Sequence, residues 1–203
     1  MMGDTAEQGF KLEPSNEDSM DRWKILLFGF DEDSNLAKDL KLIRMSGVEL
    51  EMSFPDQYPF EPPFVRVTKP KFKRQTGFVM NGAICMELLT SDGWNPINDI
   101  ESVIVSIRSL LVVGDGRLEA AETLRCQQST KKRGAGDAKQ AEEHKRSKDE
   151  HDQDESSKQP MDKISASQIG SYTAAEARQA YSHLSDYHKK KGWDHSGWWA
   201  KKG

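Results

Sequence analysis

An α+β fold, an antiparallel sheet with helices packed on one face, is what the order of hydrophobic patterns predicts. Strand-like runs come early, the long helical stripes come late, and the early connections are short enough for hairpins. Strands first and helices after separate this class from alternating strand–helix architectures.

The run 23–30 is short and strongly apolar and reads as a strand. Leu36, Leu40 and Ile43 then recur at helical spacing, with Ser34 as N-cap and Gly47 as the stop. Val48, Leu50, Met52 and Phe54 alternate with Glu49, Glu51 and Ser53. That period of two sets four apolar side chains on one face of a half-buried strand. Pro55, Pro59, Pro62 and Pro63 interrupt regular structure, and 64–68 forms a third strand. Ile100, Val103, Ile104, Ile107, Leu110 and Leu111 make a helical stripe between Asp99, an N-cap, and Gly114, just past its end. Thr173 and Glu176 form a capping box. Ala177, Ala180, Tyr181, Leu184 and His188 follow on one helical face, and Gly192 closes it.

The chain has 203 residues, enough for one domain plus chain that builds no core. Hydrophobic residues make up 35 %, below the globular average, and charged residues 31 %. Residues 127–163 contain no Val, Ile, Leu, Phe, Tyr or Trp. Such a stretch cannot bury enough apolar surface to offset its ordering entropy and is expected to be disordered. The expected organisation is a polar N-terminal segment at 1–20, a core at 21–125, a disordered charged insertion at 126–170, a C-terminal helix of the core at 171–193 and a tail at 194–203. The net charge of −4 gives no general case for nucleic acid or an anionic membrane. Two cysteines, Cys85 and Cys126, make no disulfide framework and fit a reducing compartment. With no secretion signal at the start, the expected location is cytoplasmic, nuclear or both.

Chemistry concentrates between residues 54 and 111. Tyr58-Pro59-Phe60-Glu61-Pro62-Pro63 is followed by Gly82-Ala83-Ile84-Cys85-Met86-Glu87-Leu88-Leu89, then by Trp94-Asn95-Pro96 and the helix from Ile100. This order resembles the ubiquitin-conjugating enzymes, which carry a Tyr-Pro-Phe-x-Pro-Pro turn, a Gly-x-Ile-Cys-Leu segment, a Trp-Ser-Pro loop and a following helix. The Met-Glu-Leu-Leu-Thr after the cysteine, Pro63 to Val67, and the segment from Tyr172 to Trp193 resemble the divergent Q-type branch. The likeness spans about 21–116 and 172–193.

The resemblance implies an antiparallel sheet of about four strands with helices packed on it. It also implies a first amphipathic helix. Residues 1–20 carry no helical stripe, so that helix is expected to be missing or degenerate. By the same resemblance Cys85 accepts ubiquitin, or a ubiquitin-like protein, from an activating enzyme as a thioester and passes it to a lysine. A thiolate is a good nucleophile at a carbonyl carbon. Read alone, Cys85 between Ile84 and Met86 is a buried apolar cysteine. Ligases and lysine-bearing substrates are the other implied partners. No bound cofactor or metal is expected, since ATP is used by the activating enzyme.

Most of the family has His-Pro-Asn ending eight residues before the cysteine, where this chain has Gln75, Thr76 and Gly77. The oxyanion donor supplied by that asparagine is therefore unassigned, and losing one such donor typically costs ~10²–10³ in rate. Gln75, Asn81 or backbone N–H groups could substitute, although Asn81 beside Gly82 also reads as a turn residue, the simpler account. Glu87 stands at the family's acidic position near the cysteine and could take a proton from lysine; a surface carboxylate is the simpler reading. Phe60, Asn95 and Pro96 match the two ligase-facing loops, with turn and loop packing as the alternative reading; Trp94 reads as a core residue supporting its loop, and Asp115 falls near the family's acidic gate.

Two other function classes stay open. One is a catalytically weak or inactive scaffold of the same fold that binds ubiquitin or a ligase, favoured by the missing asparagine and helix. The other is a cysteine hydrolase, which needs a base such as His183 or His188 near Cys85. Cys126 reads as an incidental thiol. Lys131-Lys132-Arg133 and Lys145-Arg146 have the spacing of a two-part nuclear import signal, with a solvated linker as the default. Trp193 reads as a helix-stop contact; Trp198 and Trp199 have no packing explanation.

Overall fold

The computed structural model describes residues 8–16, 19–134 and 169–190, with the side chains of 19, 130–134 and 185–190 outside that set. Six antiparallel strands lie in the order β1-β2-β3-β4-β6-β5. They are β1 (Phe10–Asn16), β2 (Ser19–Leu27), β3 (Val48–Ser53), β4 (Phe64–Lys69), β5 (Val79–Met80) and β6 (Ala83–Ile84). The helices are α1 (Asn35–Ile43), α2 (Ile100–Val113), α3 (Glu119–Gly134) and α4 (Ala174–Lys190).

Cross-strand register sorts the side chains onto two faces. Leu12, Ile25, Leu50 and Val67 stand opposite one another, as do Phe10, Leu27 and Val48. Opposed residues share a face, so this inner face carries the main core. It is completed by Leu36, Leu40 and Ile43 of α1, Val103, Ile104, Ile107 and Leu111 of α2, and Ala120 and Ala121 of α3. The outer face is charged: Glu51 meets Arg66 at 3.1 Å and Glu49 meets Lys69 at 3.0 Å.

The α+β class is as the sequence predicts, and so are the caps. Ser34 Oγ accepts the Ala37 N–H at 3.2 Å and Asp99 Oδ2 accepts that of Ser102 at 3.1 Å. The helix α1 ends earlier than expected, on Arg44 at φ 59°. Gly47 serves a different purpose, because a Cβ there would lie 2.0 Å from the Leu27 carbonyl oxygen.

Three expectations are corrected. The N-terminal segment at 1–20 is not merely polar: β1 and the start of β2 lie within it, and Phe10 is fully buried. Pairing with β2 engages one edge of its backbone, and Phe10 and Leu12 supply its inward side chains. The disordered stretch does not begin at 127, because α3 runs on to Gly134. Once nucleated, a helix propagates through Gln, Lys and Arg without needing burial. The helices are not confined to one face either, since Ala180 and Leu184 of α4 pack on Ala83, which pairs with outer-face Arg66. The rest of the expected insertion up to 168 and the tail with Trp193, Trp198 and Trp199 lie outside the described residues.

A buried carboxylate joins α1 to the region of α3. Asp39 is fully buried and accepts hydrogen bonds from Arg117 Nε at 3.1 Å, the Leu118 N–H at 2.9 Å and the Arg125 guanidinium. Burial pushes its carboxyl up, but these three donors outweigh it and hold it below the ordinary value.

Candidate active site

A tight hairpin delivers the cysteine. Val79 pairs with Ile84 and Met80 with Ala83. The two residues between, Asn81 and Gly82, have φ of 48° and 88°. Asn-Gly with both residues at positive φ is the preferred two-residue hairpin loop. A Cβ at Gly82 would also stand 2.9 Å from Cβ of Tyr172. Beyond the hairpin the Cys85 N–H donates to the Phe78 carbonyl at 2.9 Å, and the Gly77 N–H donates to that of Gly114 at 2.7 Å. The loop before the cysteine is thereby tied to the end of α2.

Cys85 is half-buried at a cleft of about 830 Å³. Gln75, Phe78, Asn81, Glu119, Tyr172 and Leu184 share its lining. Along β6 the side chains alternate: Ile84 enters the main core, while Ala83 and Cys85 meet Ala180 and Leu184 of α4. Burial pushes the thiol up, because desolvation penalises the thiolate.

The helix α4 is held on both sides of these contacts. At its start the Tyr172 hydroxyl accepts the Phe72 N–H at 2.8 Å, and Arg66 donates to the Tyr172 carbonyl at 2.9 Å. Its phenol is pushed up to about 12, mainly by burial. Thr173 and Glu176 form the expected capping box, Thr173 N–H to Glu176 Oε2 at 2.7 Å and Glu176 N–H to Thr173 Oγ1 at 3.2 Å. Further along, the Tyr181 hydroxyl donates to the Leu89 carbonyl and its ring meets Phe64 edge-on at 6.1 Å.

Gln75 and Asn81, the two amides considered as oxyanion donors, both line the cleft and are exposed. Asn81 is at the same time the turn residue. Glu87 is exposed, opens a short 3₁₀ turn at Glu87–Leu89, and is not among the lining residues. Asp115 does not line the cleft; it accepts a hydrogen bond from Asn35 Nδ2 at 2.7 Å. His183 is exposed and does not line it either, and the His188 side chain lies outside the described residues.

The two loops expected to face ligases are joined by Trp94. Its indole N–H donates to the Pro59 carbonyl at 2.7 Å, and Trp94 is only 8 % exposed. Phe60 stands 78 % exposed on one loop, and Asn95 and Pro96 are exposed on the other. Sequence reasoning missed Ile97, which is 87 % exposed beside them. It also missed Phe78, Glu119 and the placement of Leu184. The helical pattern had put Leu184 on a buried face, but nothing in the sequence linked that face to Cys85.

A family model described as ubiquitin-conjugating enzyme matches residues 1–144. A Q-like ubiquitin-conjugating enzyme of Drosophila melanogaster is 43 % identical over 102 residues, covering 50 % of this chain and 33 % of the relative. A Q-type ubiquitin-conjugating enzyme of Homo sapiens is 44 % identical over 107 residues, covering 50 % and 25 %. A Q-like protein of Mus musculus is 39 % identical over 114 residues, covering 56 % and 69 %. The matches thus span a third of the fly relative and a quarter of the human one. With its antiparallel sheet, its hairpin-borne cysteine and a matching family model over most of its length, the chain belongs to the ubiquitin-conjugating enzyme family, in the Q branch.

Proposed function

We propose that the protein is a transferase that carries ubiquitin or a ubiquitin-like protein on Cys85. The observation that carries this reading is the placement of Cys85, fixed by the hairpin turn and the Phe78 hydrogen bond at the rim of an open cleft. In the first step its thiolate attacks the carbonyl carbon of the modifier's terminal glycine. The carbon–sulfur bond to the activating enzyme breaks, and that enzyme's thiolate leaves. In the second step a lysine amine attacks the same carbon. The amide forms, the nitrogen gives up a proton to solvent, and the Cys85 thiolate leaves. Gln75, exposed on the cleft wall, is the side chain best suited to donate to the oxyanion. The exposed Phe60 and Asn95-Pro96 loops would receive the ligase.

A second reading, a weak or inactive scaffold of the same fold, is favoured by the absence of an asparagine at 75–77 and by burial, which pushes the Cys85 thiol up, away from the thiolate. One experiment separates the two. The chain is mixed with ubiquitin-activating enzyme, ubiquitin and Mg-ATP and run on a non-reducing gel beside Cys85→Ala. A slower band lost with thiol and in the variant is the outcome expected of the transferase. Absence of that band across a panel of ubiquitin-like proteins, with a folded chain and a working control enzyme, favours the scaffold.

A further inference from the structure

Cys85 and α4 are joined by a small apolar contact on the outer face of the sheet, apart from the main core. Ala83 is fully buried there and Ala180 is 4 % exposed. Two alanines let the helix approach the strand closely. Ala180 and Leu184, four apart, share one helix face. One helical turn advances ~5.4 Å, close to the ~6.6 Å between Ala83 and Cys85 along a strand. A helix laid with Ala180 against Ala83 therefore carries Leu184 to Cys85. Both residues line the same cleft.

We propose that Leu184 is a positioning residue for Cys85: it covers one side of the sulfur and of the acyl group carried there. Reactants then reach the sulfur from the side lined by the exposed Gln75, Phe78 and Asn81. The acyl part of this inference rests on the thioester reading above. Two features make Leu184 separable from the hold on α4. Tyr172 secures the start of the helix through Phe72 and Arg66, and Tyr181 secures its middle through Leu89 and Phe64. The raised thiol agrees with a covered sulfur. The charged groups lining the cleft are Lys71, Arg74, Glu119 and Glu176, with the phenol of Tyr172 also lining it and that of Tyr181 packed on the same cluster. A change at Leu184 leaves all of them in place.

The full chain is treated with iodoacetamide at one pH, and modification of Cys85 is measured by mass spectrometry against the exposed Cys126 of the same molecule. Leu184→Ala is expected to raise the Cys85-to-Cys126 ratio by about fivefold, and Leu184→Met to hold it near the parent value. Thr173→Ala loosens the start of α4 without touching the cluster and is expected to leave the ratio unchanged. An unchanged ratio in Leu184→Ala overturns the proposal, as does an equal rise in Thr173→Ala. On ubiquitin-charged protein, Leu184→Ala is expected to shorten the thioester's lifetime in water. There the water oxygen adds to the carbonyl, the carbon–sulfur bond breaks, and carboxylate, thiol and one proton released to solvent result. An unaltered lifetime overturns the acyl part. Failure of the parent chain to charge overturns the thioester reading and the acyl part with it, while the alkylation ratio decides the placement of Leu184 independently.

Discussion

The hydroxyl of Tyr172 accepts the backbone N–H of Phe72 at 2.8 Å, a bond between buried groups 100 residues apart. In Tyr172→Phe that N–H loses its partner away from water. An unsatisfied buried donor costs ~1–3 kcal/mol, so the denaturant midpoint should fall with an unchanged slope. A variant as stable as the parent would show that the bond contributes nothing.

Trp94→Ala removes a buried indole and its bond to the Pro59 carbonyl. The expected loss is ~3–5 kcal/mol. Chemical unfolding measures it, and a loss below ~1 kcal/mol would mean that the two loops are held by other contacts.

Asp39 gives a pH signature. Its native carboxyl titrates below the ordinary value, which for an unfolded chain is near pH 4. Its contribution to stability is therefore full above that pH and is lost as pH falls through the native pKa. Asp39→Asn should destabilise the protein at pH 7 by ~3 kcal/mol, the low end for breaking a buried pair, since both arginines reach solvent. The deficit should shrink as pH falls below 4. Thermal unfolding from pH 7 to pH 2 checks it, and a deficit constant across that range would sink the assignment.

The thiol of Cys85 is raised by burial, so its alkylation should climb with pH to a midpoint above the ordinary ~8.5. In urea the same cysteine should return to the ordinary midpoint. Rates from pH 6 to pH 10.5 test this, and identical midpoints in the two states would contradict a desolvated sulfur.

Phe60 and Ile97 are exposed and support no core. Phe60→Ala and Ile97→Ala should each leave stability within ~0.5 kcal/mol. If the loops receive a ligase, ligase-stimulated transfer should fall while charging of Cys85 stays intact. Unchanged transfer in both variants would remove these loops from the ligase surface.

Much of this architecture was legible wherever a pattern depends on neighbouring residues. The alternation at 48–53, the N-cap at Asp99 and the capping box at Thr173 are local physics, and each element formed where its signal stood. The strand β1 was not legible, because Phe10 and Leu12 alone give no period and become informative only once β2 lies alongside. Two-residue strands such as β5 and β6 are too short to show alternation at all. At the site, the segment around Cys85 was marked by its motif. The approach of Leu184 was not, since which face of the sheet a returning helix covers depends on long-range register.

The same return of α4 gives the nascent chain a timetable. The strands from β1 to β4 pair in sequence order and can form as they emerge. Leu184 is made 99 residues after Cys85. At ~5–20 residues per second, translation leaves the thiol without that cover for roughly 5–20 s. During that interval the cysteine lacks the cover proposed for Leu184, and α4, the last of the described helices, supplies it to a residue synthesised long before.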